Sequence, residues 1–419
     1  ATKMAESTDQ VLGFLRDLGE RSKPFAKQDL AALKAFAAEQ GCDDLQPWDV
    51  GFYSEQLRQQ RYAISQEMLR PYFPIDTVIN GMFSIVQKLY GIELREVAEF
   101  ERWHKDARLF EVIEQGEVIG RFFLDLYARA NKRGGAWMSN FVDQSKLWNT
   151  KPVIYNVLNI PKAPAGEVQL VSFDNVNTMF HEFGHALHGF FANQTYPSLS
   201  GTAVARDFVE YPSQVNEVWA TYPEVLSNYA KHYRTGEPIP SEMITKIEAA
   251  AKFNQGYDFG ETVEAALLDM KWAALSKEQA EAINTPAKVT EFERKSLEEL
   301  GLEIDLVPPR YRSTYFNHIF SGPAGYSAGY YSYLWTEMLD RDSRKWFMEN
   351  GGLTRANGDH YRETVLSTGG TMDYFEMFRN FAGRDPDVTP MLEARGLVPG
   401  DEAADSEVSD GALPADTAG

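Results

Sequence analysis

Two histidines four residues apart, with a glutamate beside the first, constrain this chain more than any other stretch: His181-Glu182-Phe183-Gly184-His185. Met179, Phe180, Phe183, Leu187, Phe190 and Phe191 recur around them at helical spacing, and Asp174 ahead of Val176 predicts the N-cap. Residues four apart on a helix lie about 40° apart around its axis and one turn apart along it, so both imidazoles can converge on one ion. Random placement of the chain's 7 histidines would produce this string with a probability of about 0.01. The helix must therefore bury one side in a core and present a metal-binding edge, with Glu182 placed to address a water rather than to ligate.

Imidazole and carboxylate suit zinc, whose catalytic sites take three protein ligands and keep a fourth position open. The pattern with a third histidine on the same helix is absent: His188 stands where its glycine would be, and Phe191 where its histidine would be. His188 lies about 10 Å along the axis from His181, too far to share an ion, and reads as a packing or supporting residue. Cys42 is the only cysteine, so paired thiolates are excluded. A downstream carboxylate must complete the site. Glu210, Glu217 and Glu224 follow at seven-residue intervals, and spacing alone does not choose among them.

The rest of the sequence reads as a mainly α protein with a small β-sheet. Residues 4–40 carry two helical runs with Pro24 between them, and further helices follow Asp49 to Tyr62 and Pro74 to Tyr90. Leu109 to Ile113, a Gln115-Gly116 turn and Val118 to Leu124 predict a hairpin. Ala136 to Met138 and Val153 to Val157 add strands, placing the sheet around 107–171 beside the two-histidine helix. Helix resumes from Asp174 nearly to Arg395. Residues 398–419 read as a disordered acidic tail, with six acidic groups and no basic one after 400, which leaves 1–397 as the globular region.

A net charge of −20 opposes nucleic-acid binding, which needs clustered cations to displace counterions. No apolar run reaches membrane-spanning length, so no membrane partner is expected. The lone cysteine fits a reducing compartment, hence a cytoplasmic location, and a monomer is expected.

The stretches Phe180 to Gly189 and Asp207-Phe208-Val209-Glu210-Tyr211-Pro212-Ser213-Gln214 resemble the thimet-oligopeptidase-like zinc peptidases, in particular their bacterial peptidyl-dipeptidase (dipeptidyl carboxypeptidase) branch. The segments Pro308–Ser313, Gly325–Trp335 and Gly351–Gly358, and upstream Gln46–Asp49, Leu69–Phe73, Lys132–Met138 and Tyr155-Asn156, are similar too, so the likeness spans residues 2–397. It implies one zinc ion held by His181, His185 and Glu210, with Glu182 as general base and acid. It also implies hydrolysis of short peptides, with release of C-terminal dipeptides. As donors to the oxyanion it nominates His318, Tyr326 and Tyr333, with Tyr330 and Tyr331 beside them.

For the substrate's terminal carboxylate, a guanidinium fork fits best, and Arg310 and Arg312, just before His318, are the candidates, with Arg206 in reserve. Gly135 and Ala136 would start an edge strand along which a peptide backbone pairs. Asp174 and Glu217 are candidates to orient the imidazoles. Family members extend further at the N-terminus, so a helical portion, and with it any export signal, is expected to be missing here. The loop from His318 to Tyr326 reads as two residues longer than usual, around Pro323-Ala324. Two other functions fit the same residues: an endo-oligopeptidase with the same zinc chemistry, and a catalytically silent helical binding protein.

Overall fold

A computed structural model describes residues 3–398 except 300, 302, 303, 305, 323 and 324. The acidic stretch after Val398 and the Pro323-Ala324 pair lie outside the described residues. Of the described residues 54% are helical and 12% strand, with one five-stranded sheet among them, so the fold is mainly α as expected. No helix among the described residues is long and apolar enough to cross a membrane.

The expected hairpin joins β2 (Arg108–Glu114) to β3 (Glu117–Tyr127) through Gln115 at φ 51° and Gly116 at φ 85°. Two consecutive left-handed residues match the right-handed twist of the flanking strands. β5 (Val153–Ile160) runs parallel to β3, and β4 (Trp137–Val142) lies antiparallel to β5 at the sheet's edge. β4 begins at Trp137, one residue after Ala136. The opposite edge is β1 (Ile92–Val97), which pairs antiparallel with β2 and extends the sheet to 92–160. Its charged residues Glu93, Arg95 and Glu96 make its alternation hard to read, and such charges are usual on edge strands.

The N-terminal region corrects another expectation: a single helix, Thr8–Glu39, runs through Pro24 instead of breaking there. Proline inside a helix costs about 3 kcal/mol, but this helix buries Leu15, Leu18, Ala26, Leu30 and Leu33 along its length. It lies against the helix Gln255–Ala273 so closely that a Cβ on Gly256 would sit 2.4 Å from the backbone of Phe25 and Ala26. Packing on both sides of Pro24 keeps the helix continuous through it.

The two-histidine helix spans Phe173–Phe190. Its N-cap is Ser172, whose Oγ accepts the Asn175 N–H at 3.2 Å, rather than Asp174, which occupies the first turn where a carboxylate favours the helix dipole. One side lies on the sheet: a Cβ on Gly189 would meet Ile154 Cδ1 at 2.4 Å, and one on Gly120 would meet the Phe190 ring at 2.9 Å. The other side meets the helix Tyr211–Glu217 at Gly184, where a Cβ would come within 2.6 Å of Ser213 Cα and 2.9 Å of Pro212 O. Phe122, Phe180, Phe183, Tyr211 and Trp219 are fully buried around this crossing.

Two outcomes follow from this packing. Gly184→Ala improves helix propensity, but it forces backbone apart at the crossing and should lower unfolding free energy by about 1–3 kcal/mol in denaturant titration. An unchanged midpoint would show that the two helices part freely. On the helix Ser332–Glu349, burial pushes the Asp340 carboxyl up to about 8, with Arg341 at 3.5 Å only partly opposing it. The folded state therefore holds a proton that the unfolded state loses, and this stabilisation fades as pH rises from Asp340's ordinary value of 3.8 toward about 8. Stability curves of the protein and Asp340→Asn should diverge over that window; parallel curves would contradict the assignment.

Candidate metal centre

Glu210 sits between a short helical turn, Arg206–Val209, and the helix Tyr211–Glu217. That helix approaches at Gly184, so Glu210 lands opposite the histidine pair. Its Oε2 lies 3.2 Å from His181 Nε2 and 3.1 Å from His185 Nε2. One donor atom from each of His181, His185 and Glu210 falls within 4.8 Å of the others, the single such cluster among the described residues. The imidazole planes stand at 85° with centroids 5.0 Å apart, so both rings address one point from different directions. Two nitrogens and a carboxylate oxygen are the donor set that zinc takes when one position stays open.

Two helical turns beyond Glu210, Glu217 points the same way and accepts from His181 Nδ1 at 2.6 Å, fixing that ring with Nε2 toward Glu210. Asn177 Nδ2 donates to the other Glu217 oxygen at 2.8 Å. Asp174 plays no part here; it accepts from Gln66 at 3.3 Å. Glu224 pairs with Lys88 at the surface, away from the site. Asn177 escaped notice in the sequence although it precedes His181 by one turn, continuing the same stripe of the helix.

Burial alone would lower the His181 pKa, but Glu210 and Glu217 on either side raise it to about 10, so this position favours positive charge. Burial would likewise raise Glu210, yet His181 and His185 hold it well below the usual carboxylate range. Glu182 differs. It is 6% exposed, burial raises its pKa against the pull of both histidines, and its Oε2 has no hydrogen-bond partner among the described residues. A carboxylate that is buried, unpartnered and raised in basicity suits proton transfer. His188 is fully buried, with its pKa pushed down to about 3, in keeping with packing.

Across the site, the Tyr326 hydroxyl donates to Glu210 Oε1 at 3.3 Å and its ring stacks on Tyr333 with centroids 5.3 Å apart. His318 lies 6.2 Å from the Tyr326 ring and 5.5 Å from the Tyr330 ring. Burial raises the pKa values of all three tyrosines, keeping their hydroxyls protonated, and lowers that of His318, keeping it neutral. Arg206 sits over the Tyr326 ring at 4.6 Å. Arg312 is engaged by the buried carboxylate of Glu293, whereas Arg310 is mostly exposed and its guanidinium is 3.7 Å from Glu261. The two arginines are thus not equivalent. Gly135, at φ 90°, turns the chain into β4, and its carbonyl accepts from Asn159 at 2.7 Å; Ala136 follows, partly buried, at the start of the edge strand.

The description "Peptidase family M3" matches residues 1–397. The chain is 46% identical over 400 residues to the dipeptidyl carboxypeptidase of Escherichia coli strain K12, covering 95% of this chain and 58% of that protein. It is 41% identical over 406 residues to oligopeptidase A of the same organism, with 95% and 58% covered. To saccharolysin of Saccharomyces cerevisiae it is 29% identical over 422 residues, covering 94% and 57%. The chain spans somewhat more than half the length of these relatives.

Because Glu217 orients His181, Glu217→Ala should weaken zinc affinity about 10- to 100-fold in competition with a chelator. Equal affinity would remove Glu217 from that role.

Proposed function

The chain belongs to peptidase family M3, and on that premise we propose that it is a zinc-dependent peptidase that releases dipeptides from the C-termini of short peptides. The observation that carries this reading is the convergence of His181, His185 and Glu210 beside the unpartnered carboxylate of Glu182. One zinc ion fits these donors. When bound, it acidifies a water and polarises the scissile carbonyl.

Glu182 takes the proton from the attacking water and passes it to the leaving amine. The hydroxyls of Tyr326 and Tyr333, with His318, donate to the oxyanion as the carbonyl becomes tetrahedral, and Tyr330 packs behind them. Glu217 keeps His181 in the orientation that turns Nε2 toward the ion. Arg310 reads the substrate's terminal carboxylate in place of its loose contact with Glu261, while Arg312 stays with Glu293. The peptide backbone pairs along the β4 edge beginning at Gly135 and Ala136, a mode that tolerates many sequences. The protein works as a monomer in the cytoplasm.

The 41% identity to oligopeptidase A favours a second reading, cleavage within peptides by the same chemistry. Paired peptides with free and amidated C-termini separate the two. A dipeptide-releasing enzyme cuts the free acids and spares the amides, and Arg310→Ala should raise KM for the free acids about 10-fold or more. Equal cleavage of both forms would favour the internal-cleavage reading. Glu182→Gln should lower kcat at least about 100-fold while zinc content stays at one ion per chain, and chelation should abolish turnover until zinc is restored. Undiminished turnover of Glu182→Gln would contradict the mechanism.

A further inference from the structure

Tyr326 and Tyr330 are carried by a run of turns with no regular structure until the helix Ser332–Glu349 begins, with Tyr333 in that helix's first turn, so something must fix the position of that run. Within it Ala328 has φ 53°, a left-handed conformation that a non-glycine residue keeps only when its surroundings impose it. Three successive backbone N–H groups here converge on one side chain. Ala328 N–H donates to Asp269 Oδ1 at 2.8 Å, and Gly329 and Tyr330 N–H donate to Asp269 Oδ2 at 2.8 and 2.9 Å. Such a concave run of N–H groups binds anions, and it is filled by a carboxylate that is 1% exposed on the helix Gln255–Ala273.

Other contacts close the same segment from outside. Lys3 Nζ donates to Ala328 O at 2.7 Å, and the Tyr331 hydroxyl donates to Asp207, which also accepts the N–H groups of Met4 and Ala5. Tyr326 N–H donates to His318 O at 2.6 Å, which ties the His318 turn to this segment. At its far end stands the Tyr326 hydroxyl, 3.3 Å from Glu210.

We propose that Asp269 is a positioning residue: by filling this N–H cradle it holds Tyr326 and Tyr333 over the site formed by His181, His185 and Glu210, and so sets the rate of the chemical step without touching substrate or metal. The proposal rests on the reading of Tyr326 and Tyr333 as oxyanion donors. It separates Asp269 from an ordinary core residue because its partners are the backbone of the tyrosine segment, not the packing of its own helix.

Asp269→Asn keeps the volume but turns an amide NH2 toward an N–H that needs an acceptor. It should lower kcat per zinc-loaded molecule about 10- to 100-fold, as misplaced catalytic groups do, and change KM by less than about 3-fold. Zinc content should stay at one per chain, and amide hydrogen exchange at 328–330 should quicken while that of Phe173–Phe190 is unchanged. Val263→Ala, a core truncation on the same helix, controls for lost stability and should leave kcat per folded molecule near that of the unaltered protein. Ala328→Pro breaks the cradle from the loop side and should reproduce the Asp269→Asn loss even if the latter fails to fold. A kcat for both cradle variants matching Val263→Ala, with protection retained, would overturn the proposal. If the unaltered protein cleaves no peptide, the functional reading fails, and hydrogen exchange alone then decides whether Asp269 holds the segment.

Discussion

The close approach that matters most to the chemistry is at Gly184, where the backbone of the two-histidine helix meets the backbone of the Tyr211–Glu217 helix at Pro212 and Ser213. Everything at the site depends on it. With no Cβ between them the helices come near enough for Glu210 to face both Nε2 atoms and for Glu217, two turns on, to face His181 Nδ1. Asn216 adds a hydrogen bond at 2.7 Å to the Phe180 carbonyl, tying the same two elements at the residue just before His181. The sheet backs the helix from behind, so the histidines cannot retreat from the carboxylates.

Charge is arranged around this crossing with the same economy of elements. Glu210 and Glu217 make the His181 position favour positive charge, whereas burial of Glu182, on the same helix one residue along, raises its basicity against the pull of both histidines. Two classes of carboxylate, two paired with imidazoles and one buried without a partner, thus arise around one helix. The tyrosine segment closes the far side with neutral donors, and its position is set by aspartates from elsewhere in the chain.

Much of this was legible in the sequence because it is local. The H-E-x-x-H spacing placed two imidazoles on one stripe, the Gln115-Gly116 pair marked its hairpin, and Pro74 marked the start of the helix Ile75–Tyr90. What depended on distant partners was not. Spacing left Glu210, Glu217 and Glu224 equivalent; the family resemblance nominated Glu210, and the physical difference lies in the tertiary crossing, which puts one carboxylate at both Nε2 atoms, one at Nδ1 and one on Lys88. Pro24 reads locally as a break, yet the packed length on either side of it keeps one helix. Ser172 and Asp174 are both good caps, and the register of the first turn decides between them. Asp269 carries no signal in sequence, since its partners are N–H groups some sixty residues away.

X-ray absorption at the zinc edge on protein loaded with one equivalent of metal tests the central claim most directly. The account predicts one tightly held ion per chain with two imidazole nitrogens and carboxylate or water oxygens at about 2.0–2.2 Å, and loss of that signature in Glu210→Ala. An ion coordinated without two imidazoles, or a signature indifferent to Glu210, would contradict it.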